Sequence, residues 1–248
     1  MIYYITNKKE VIVQKFGGDL TTKQKNLLLE NVLYYKNLTE LEKESFTKRV
    51  AFFLKTTTIK PVDCKVTDLD KIYIGASAII PVFGFDNWRY SNLKVVYVFP
   101  DAFNEIFQYK GNRNNRRILG MVGTGYLQYK MILSLKALRH GFENKTDKNN
   151  TAIHEFVHLI DMADGTIDGL PSSIIEKPYT LPWLDLIHRK IEKIDDGKSD
   201  INPYGATSKV EFFAVASEYF FERPKLLKRK HPKLYKKLSI FFKQDLAS

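Results

Sequence analysis

Apolar residues recur along positions 20–55 at mixed three- and four-residue spacings (Leu27, Leu28, Val32, Tyr35, Leu38, Leu41, Leu54), and Thr21 or Thr22 stands where a cap is needed. That pattern predicts helix. From Ile59 to Phe99 the character changes to β-branched runs, Ile72 and Ile74, then Val95, Val96 and Val98, split at Gly84, Asp86 and Asn87 and closing at Pro100. Mixed strand and helix is expected there, with a small-residue helical stretch near Gly75 to Ile80. Residues 109–118 place Lys110, Arg113, Arg116 and Arg117 among Asn and Gly, as an exposed loop or hairpin does. Tyr126 to Leu135 reads as a strand, and Asn144 to Asn150 as a polar connector.

An apolar helix begins at Thr151. Residues 164–204 read as irregular, punctuated by Gly165, Gly169, Pro171, Pro178, Pro182, Gly197 and Pro203 around a helical piece from Trp183 to Ile194. A helix follows from Ser208 to Glu222 and stops at Pro224. In the tail, Lys225 to Lys243, Leu226, Leu227, Leu234, Leu238 and Phe241 fall at helical spacing with cations on the other face. The pattern as a whole predicts an α+β protein forming one unit over residues 1–248, with an N-terminal α/β part (1–115) and a second part (116–248).

Composition narrows the classes. With 248 residues, 44% hydrophobic and 27% charged, the chain can bury a sizeable core and lies far from disordered compositions. Its one cysteine, Cys64, excludes an internal disulfide, a cysteine zinc knuckle and an iron–sulfur cluster. The longest apolar stretch, Ile72 to Phe85, is interrupted by Gly75, Ser77, Pro81 and Gly84, so no membrane span is expected. Met1 to Lys9 lacks the apolar core of a signal peptide, and the cytoplasm is the expected compartment. A net charge of +11 raises nucleic acid as a partner. However, the cations from Arg223 to Lys237 alternate with apolar residues at helical spacing and no recognition motif accompanies them, which fits the solvated face of a packed helix. The glycines of Gly120 to Gly125 precede a strand instead of opening a helix, so they do not make a dinucleotide loop.

The chemistry sits in residues 151–161, where His154 and His158 lie four apart on one helical face with Glu155 beside the first. This is an HExxH motif. An i, i+4 imidazole pair on a helix offers two nitrogens to Zn²⁺, and Glu155 can take a proton from a water the metal polarises. The surrounding Ala152, Ile153, Phe156, Val157, Leu159 and Ile160 make unpartnered charge costly there. Asp161 shares the motif's face and either holds a ligand imidazole from behind or is an ordinary helix-end aspartate. His140, His188 and His231 are poor third ligands. Glu211 and Glu218, two turns apart on the next apolar helix, are better ones. Each has a plainer reading: Ser208-x-x-Glu211 is a capping box, and Glu218 could pair with the Lys-rich tail.

The stretches His154 to Asp161, Met162-Ala-Asp164-Gly165, Tyr204 to Ser208, Glu211-Phe-Phe-Ala-Val and Ser217 to Glu222 together resemble the glucose-regulated zinc metallopeptidases, the MtfA-like family. The resemblance covers at least residues 131–245 and is looser upstream, at Phe99 to Phe103 and Ile132 to Leu135. It implies a gluzincin-type site on a fold similar to the catalytic domain of anthrax lethal factor. One Zn²⁺ would be held by His154, His158 and Glu211, because the family sets a tyrosine seven residues before the ligand glutamate and Tyr204 stands there. Glu155 would be the base, Tyr204 the donor to the oxyanion, and Asp161 and Glu218 would support the ligands. A strand around Met131 to Leu135, with Leu133 and Ser134, would be the sheet edge that takes a peptide substrate. The connection from Asp161 to Tyr204 is shorter than the family's, so substrate preference is not carried over.

The resemblance further implies aminopeptidase activity and a sugar-responsive transcriptional repressor as partner. A zinc peptidase is the leading expectation. The alternative is a protein-binding module that sequesters a regulator and keeps the metal site for structure. Glu155 separates the two, because a structural site needs ligands but no base.

Overall fold

Thr21 and Thr39 each start a helix with a reciprocal capping box, to Gln24 and Glu42 respectively, so the predicted helical stretch over 20–55 is three helices: α1 (Thr22–Asn31), α2 (Leu33–Lys36) and α3 (Glu40–Thr56). The computed structural model describes residues 18–109, 117–144 and 147–247. Lys110, Arg113 and Arg116 of the cationic loop, and the segment Met1 to Lys9, lie outside the described residues.

Strand β1 (Thr58–Pro61) is followed by α4 (Asp68–Ile79), capped by a third box between Thr67 and Asp70. Ile72 and Ile74, expected in a β-branched strand, are therefore helical: the cap nucleates the helix and the run Gly75-Ala-Ser-Ala lets it pack closely. Val50 of α3 would lie 2.9 Å from a Cβ at Gly75. Then come β2 (Leu93–Phe99), β3 (Gly120–Val122) and β4 (Tyr129–Ser134), in the sheet order β1-β2-β4-β3. β2 is parallel to both β1 and β4, with Val96 opposite Met131 and Val98 opposite Leu133, while β3 runs antiparallel to β4.

This order corrects the expected sheet edge. Leu133 and Ser134 lie on a strand paired on both sides and are almost wholly buried. The apolar run Met131-Ile-Leu133 is buried because β2 pairs on one side of it and β3 on the other. Ser134 instead serves as a helix cap, its hydroxyl accepting the Ala137 N–H at 3.2 Å to start α5 (Leu135–Glu143). Arg139 of α5 then makes a two-pronged bond to buried Asp70 at 2.8 and 2.9 Å, fixing α5 to α4.

The HExxH helix, α6 (Thr151–Asp161), is buried at every position from Ala152 to Asp161. It packs against β3 and β4 and against α8 (Lys209–Glu222). Between them in sequence, α7 (Lys177–Asp195) begins six residues before the predicted helical piece, because Pro178 suits a first turn and the N–H that Pro182 lacks would have served only that turn. The basic tail forms α9 (Pro224–Lys230) and α10 (Pro232–Phe242), broken at His231-Pro232. Leu227, Leu234, Leu238, Phe241 and Phe242 are fully buried, while Lys225, Lys228, Lys233 and Lys236 are exposed. At roughly 1.5–3 kcal/mol for each such side chain, burial accounts for the tail's attachment without any bound polyanion. Phe242 and Phe241 pack on Phe221 and Trp183, at 4.9 and 5.2 Å between ring centroids, and back α8 with aromatic core. The described residues give a mixed α+β fold of one small sheet and ten helices, in which no helix is long and apolar enough to cross a membrane.

Candidate metal centre

Asn150 starts α6 by accepting the Ile153 N–H on its side-chain oxygen at 3.2 Å, which points the first turn at α8. One turn apart on that face, His154 Nε2 and His158 Nε2 approach to 3.0 Å. Glu211 reaches them from α8, its Oε2 3.0 Å from His154 Nε2 and 3.5 Å from His158 Nε2. Ser208 does cap α8 by accepting the Glu211 N–H at 3.1 Å, but the Glu211 carboxylate turns to the imidazoles instead of closing a capping box. His154, His158 and Glu211 could hold a metal ion: one donor atom from each lies within 4.8 Å of the others.

Glu218 does not pair with the tail. Its Oε1 lies 2.7 Å from His154 Nδ1 and its Oε2 accepts the Asn150 N–H at 2.6 Å. A carboxylate oxygen accepts, so Nδ1 donates to Glu218 and Nε2 is the nitrogen turned to the cleft and to Glu211. Asp161 behaves differently from the expectation that it holds an imidazole. Its Oδ2 accepts the Gly169 N–H at 2.9 Å, brought close by a left-handed turn at Gly169, and so anchors the loop after the helix. Its Oδ1 and His158 Nδ1, one turn away, are both buried without a hydrogen-bond partner among the described residues.

Glu155 is buried against β3. A Cβ at Gly120 would lie 2.6 Å from Glu155 Cγ and 2.7 Å from Oε1, so only glycine leaves this carboxylate its seat. Tyr204 stands on a short 3₁₀ turn, Pro203–Ala206, that is tied to the residues before α6 by Asn202 Nδ2 donating to Asn149 Oδ1 at 2.9 Å. Its ring centre is 6.0 Å from that of His154. His154, Glu155, His158, Glu211 and Tyr204 all line one cleft of about 1100 Å³, together with Ile118 to Val122 and with Lys136, Arg139 and His140 of α5.

The charges of this cluster are set by its neighbours. Burial works against a proton on His154, but the Glu218 charge and the bonds to Glu211 and Glu218 outweigh it and hold the imidazolium well above its ordinary range. Burial likewise opposes ionisation of Glu211, and the two imidazoles overcome it, keeping this carboxyl below the usual range. For Glu155 burial prevails and its proton affinity rises. The carboxylates of this cluster thus favour positive charge at the imidazoles, a place a cation can take.

Sequence reasoning missed Gly120, Asn150 and Glu222. For Asn150 a signal existed, an Asn directly before an apolar helix. Nothing in the sequence marks Gly120 as the seat of Glu155.

An HExxH helix facing a glutamate from a second helix, in a cleft beside a sheet edge, is the layout of a metallopeptidase. A sequence profile of the glucose-regulated metallo-peptidase M90 family matches residues 6–243, and the chain belongs to that family. Relatives include an uncharacterized protein of Synechocystis, 26% identical over 238 residues and covering 92% of this chain and 86% of that one. Also similar are the proteins named Mlc titration factor A of Cronobacter sakazakii (27% identical; 73% of this chain, 78% of that one) and Escherichia coli (25%; 77% and 83%).

Proposed function

We propose that this protein is a zinc-dependent peptidase of gluzincin type, acting as one unit over its length, with Zn²⁺ held by His154 Nε2, His158 Nε2 and Glu211. The observation that carries the reading is the turn of the Glu211 carboxylate from its own helix cap to two imidazole nitrogens. The donors fit the ion. Two nitrogens and one oxygen stand 3.0–3.5 Å apart, and ligands of a tetrahedral zinc with bonds near 2.0–2.1 Å are separated by roughly 3.3 Å.

Zinc bound there would supply Lewis acidity to a peptide carbonyl and to a water. Glu155 takes the proton of the attacking water and delivers it to the leaving amine, a duty suited to a carboxyl whose proton affinity burial has raised. Tyr204 directs its phenol to the carbonyl oxygen as that oxygen gains charge. The peptide lies along the outer edge of Gly120–Val122, where the sheet order ends, adding a strand beside Glu155. The family resemblance adds removal of amino-terminal residues, and the N-terminal sequence pattern suggests the cytoplasm as its setting.

A second reading is favoured by the name the Cronobacter and Escherichia relatives carry: binding of a regulator protein, the sugar-responsive repressor the resemblance implies. Metal content and hydrolysis of a mixed peptide library, measured on the native chain and on Glu155→Gln, separate the two. The peptidase reading expects zinc in both and cleavage by the native chain alone, with the variant slower by about 10²–10⁴-fold. Zinc in both with no cleavage by either moves the assignment to regulator binding.

A further inference from the structure

Asn150 is 1% exposed and every polar atom it has is engaged. Its backbone N–H donates to Glu218 Oε2 at 2.6 Å, and its carbonyl accepts the His154 N–H at 2.9 Å. In the side chain, Oδ1 accepts from Ile153 while Nδ2 donates to Glu222 Oε1 at 2.9 Å and, more weakly, to Gly141 O at 3.4 Å. The amide cannot flip, because a donor faces its oxygen and a carboxylate faces its nitrogen. Gly141 provides the space, since a Cβ there would lie 2.9 Å from Asn150 Cγ. An unbroken series of bonds therefore runs from Glu222 through Asn150 and Glu218 to His154 Nδ1, which fixes the nitrogen that His154 turns to the cleft.

We propose that Asn150, oriented by Glu222, is a positioning residue of the metal centre: it sets Glu218 against His154 and so determines how well His154 Nε2 is presented to a metal. This rests on reading the cluster as a metal site. Asn150 then has two separable duties. As a helix cap it is interchangeable with aspartate. As the donor to Glu222 it is not, because an aspartate in its place would set a carboxylate against the Glu222 carboxylate with no side-chain N–H between them, one bond away from Glu218.

Zn²⁺ titrated into the metal-free full-length chain against a chromophoric chelator tests this, with the unfolding temperature of each variant recorded. Asn150→Asp is expected to keep the cap and the fold but to bind Zn²⁺ about 10–100-fold more weakly. Adding Glu222→Gln reverses the donor and acceptor across the pair and is expected to bring affinity back to within about threefold of native. A merely structural role for Asn150 would not produce that rescue. Asn150→Asp binding like the native chain, or the double variant binding no better than Asn150→Asp, overturns the proposal. Should Asn150→Asp not fold, Glu222→Leu decides: it removes the acceptor and leaves Asn150, with about a tenfold loss expected and unchanged affinity counting against the proposal. Because the readout is zinc affinity, a native chain that binds zinc and cleaves no peptide would sink the peptidase reading while leaving this test intact.

Discussion

Two buried histidines in this protein, His154 and His231, each lie 2.7 Å from a carboxylate, Glu218 and Asp200 respectively, yet their surroundings differ. The second nitrogen of His154 meets another imidazole and a second carboxylate. The second nitrogen of His231 accepts from the Lys190 ammonium at 2.6 Å. Asp200 accepts further from Tyr219 at 2.8 Å, Lys230 at 3.1 Å and Lys148 at 3.3 Å. Burial and Lys190 together pull the proton affinity of His231 down, whereas the carboxylates around His154 push its affinity up. Adjacent residues of α8, Glu218 and Tyr219, serve the two clusters. The chain's own lysines complete the second cluster, a closed knot that ties the segments at 148, 190, 200, 219 and 230 together. In the first, acids and imidazoles converge with no lysine or arginine bonded to them among the described residues, and an external cation fits.

The sharpest way to break this contrast is Glu211→Ala. It should weaken zinc affinity by roughly a thousandfold and cost the metal-free chain only the share of its bonds to the imidazoles; a loss of stability larger than that of Asp200→Asn would mean that Glu211 is structural. The converse variant, Asp200→Asn, should cost about 2–3 kcal/mol in urea denaturation with zinc stoichiometry retained. If zinc is lost instead and stability kept, the two clusters are not separable as described.

A smaller effect concerns pH. In the metal-free chain the raised affinity of His154 means that the folded state holds more protons, so its stabilising share is complete below about pH 6.5 and is lost as pH rises through the folded value. His231, pulled down, works in the opposite sense: its share is present above about pH 6.5 and is lost as pH falls through the folded value. Each slope is at most about 1.4 kcal/mol per pH unit. Denaturant titrations across pH 5–9, with and without saturating zinc, should show the alkaline decline only without zinc, and a decline equal in both series would remove His154 as its source.

Part of this architecture is legible from short stretches of sequence. The i, i+4 histidines, the apolar faces of the tail helices and the start of the last long helix at Ser208 all depend on neighbours within one or two turns. Legibility fails where two segments compete for one residue. The Ser208-x-x-Glu211 pattern is satisfied as a cap, but whether the carboxylate folds back or reaches out depends on α6 lying opposite. Ile72 and Ile74 have strand-forming side chains, and the Thr67–Asp70 cap overrides them. An apolar strand reads the same at an edge as inside a sheet, so the sheet's outer edge at Gly120–Val122 emerges only from the pairing order.

The sequence by itself determined the helix that sets His154 and His158 on one face with Glu155 beside the first, and the metallopeptidase family, because i to i+4 geometry is fixed by the helix itself. Only the tertiary structure decided which glutamate turns to the imidazoles, which orients His154, which carboxylate anchors a loop, and that a glycine seats Glu155. The choices between the two glutamates depend on contacts between residues 57 to 68 positions apart in the chain, and such contacts form only when the burial of many apolar side chains brings the helices face to face.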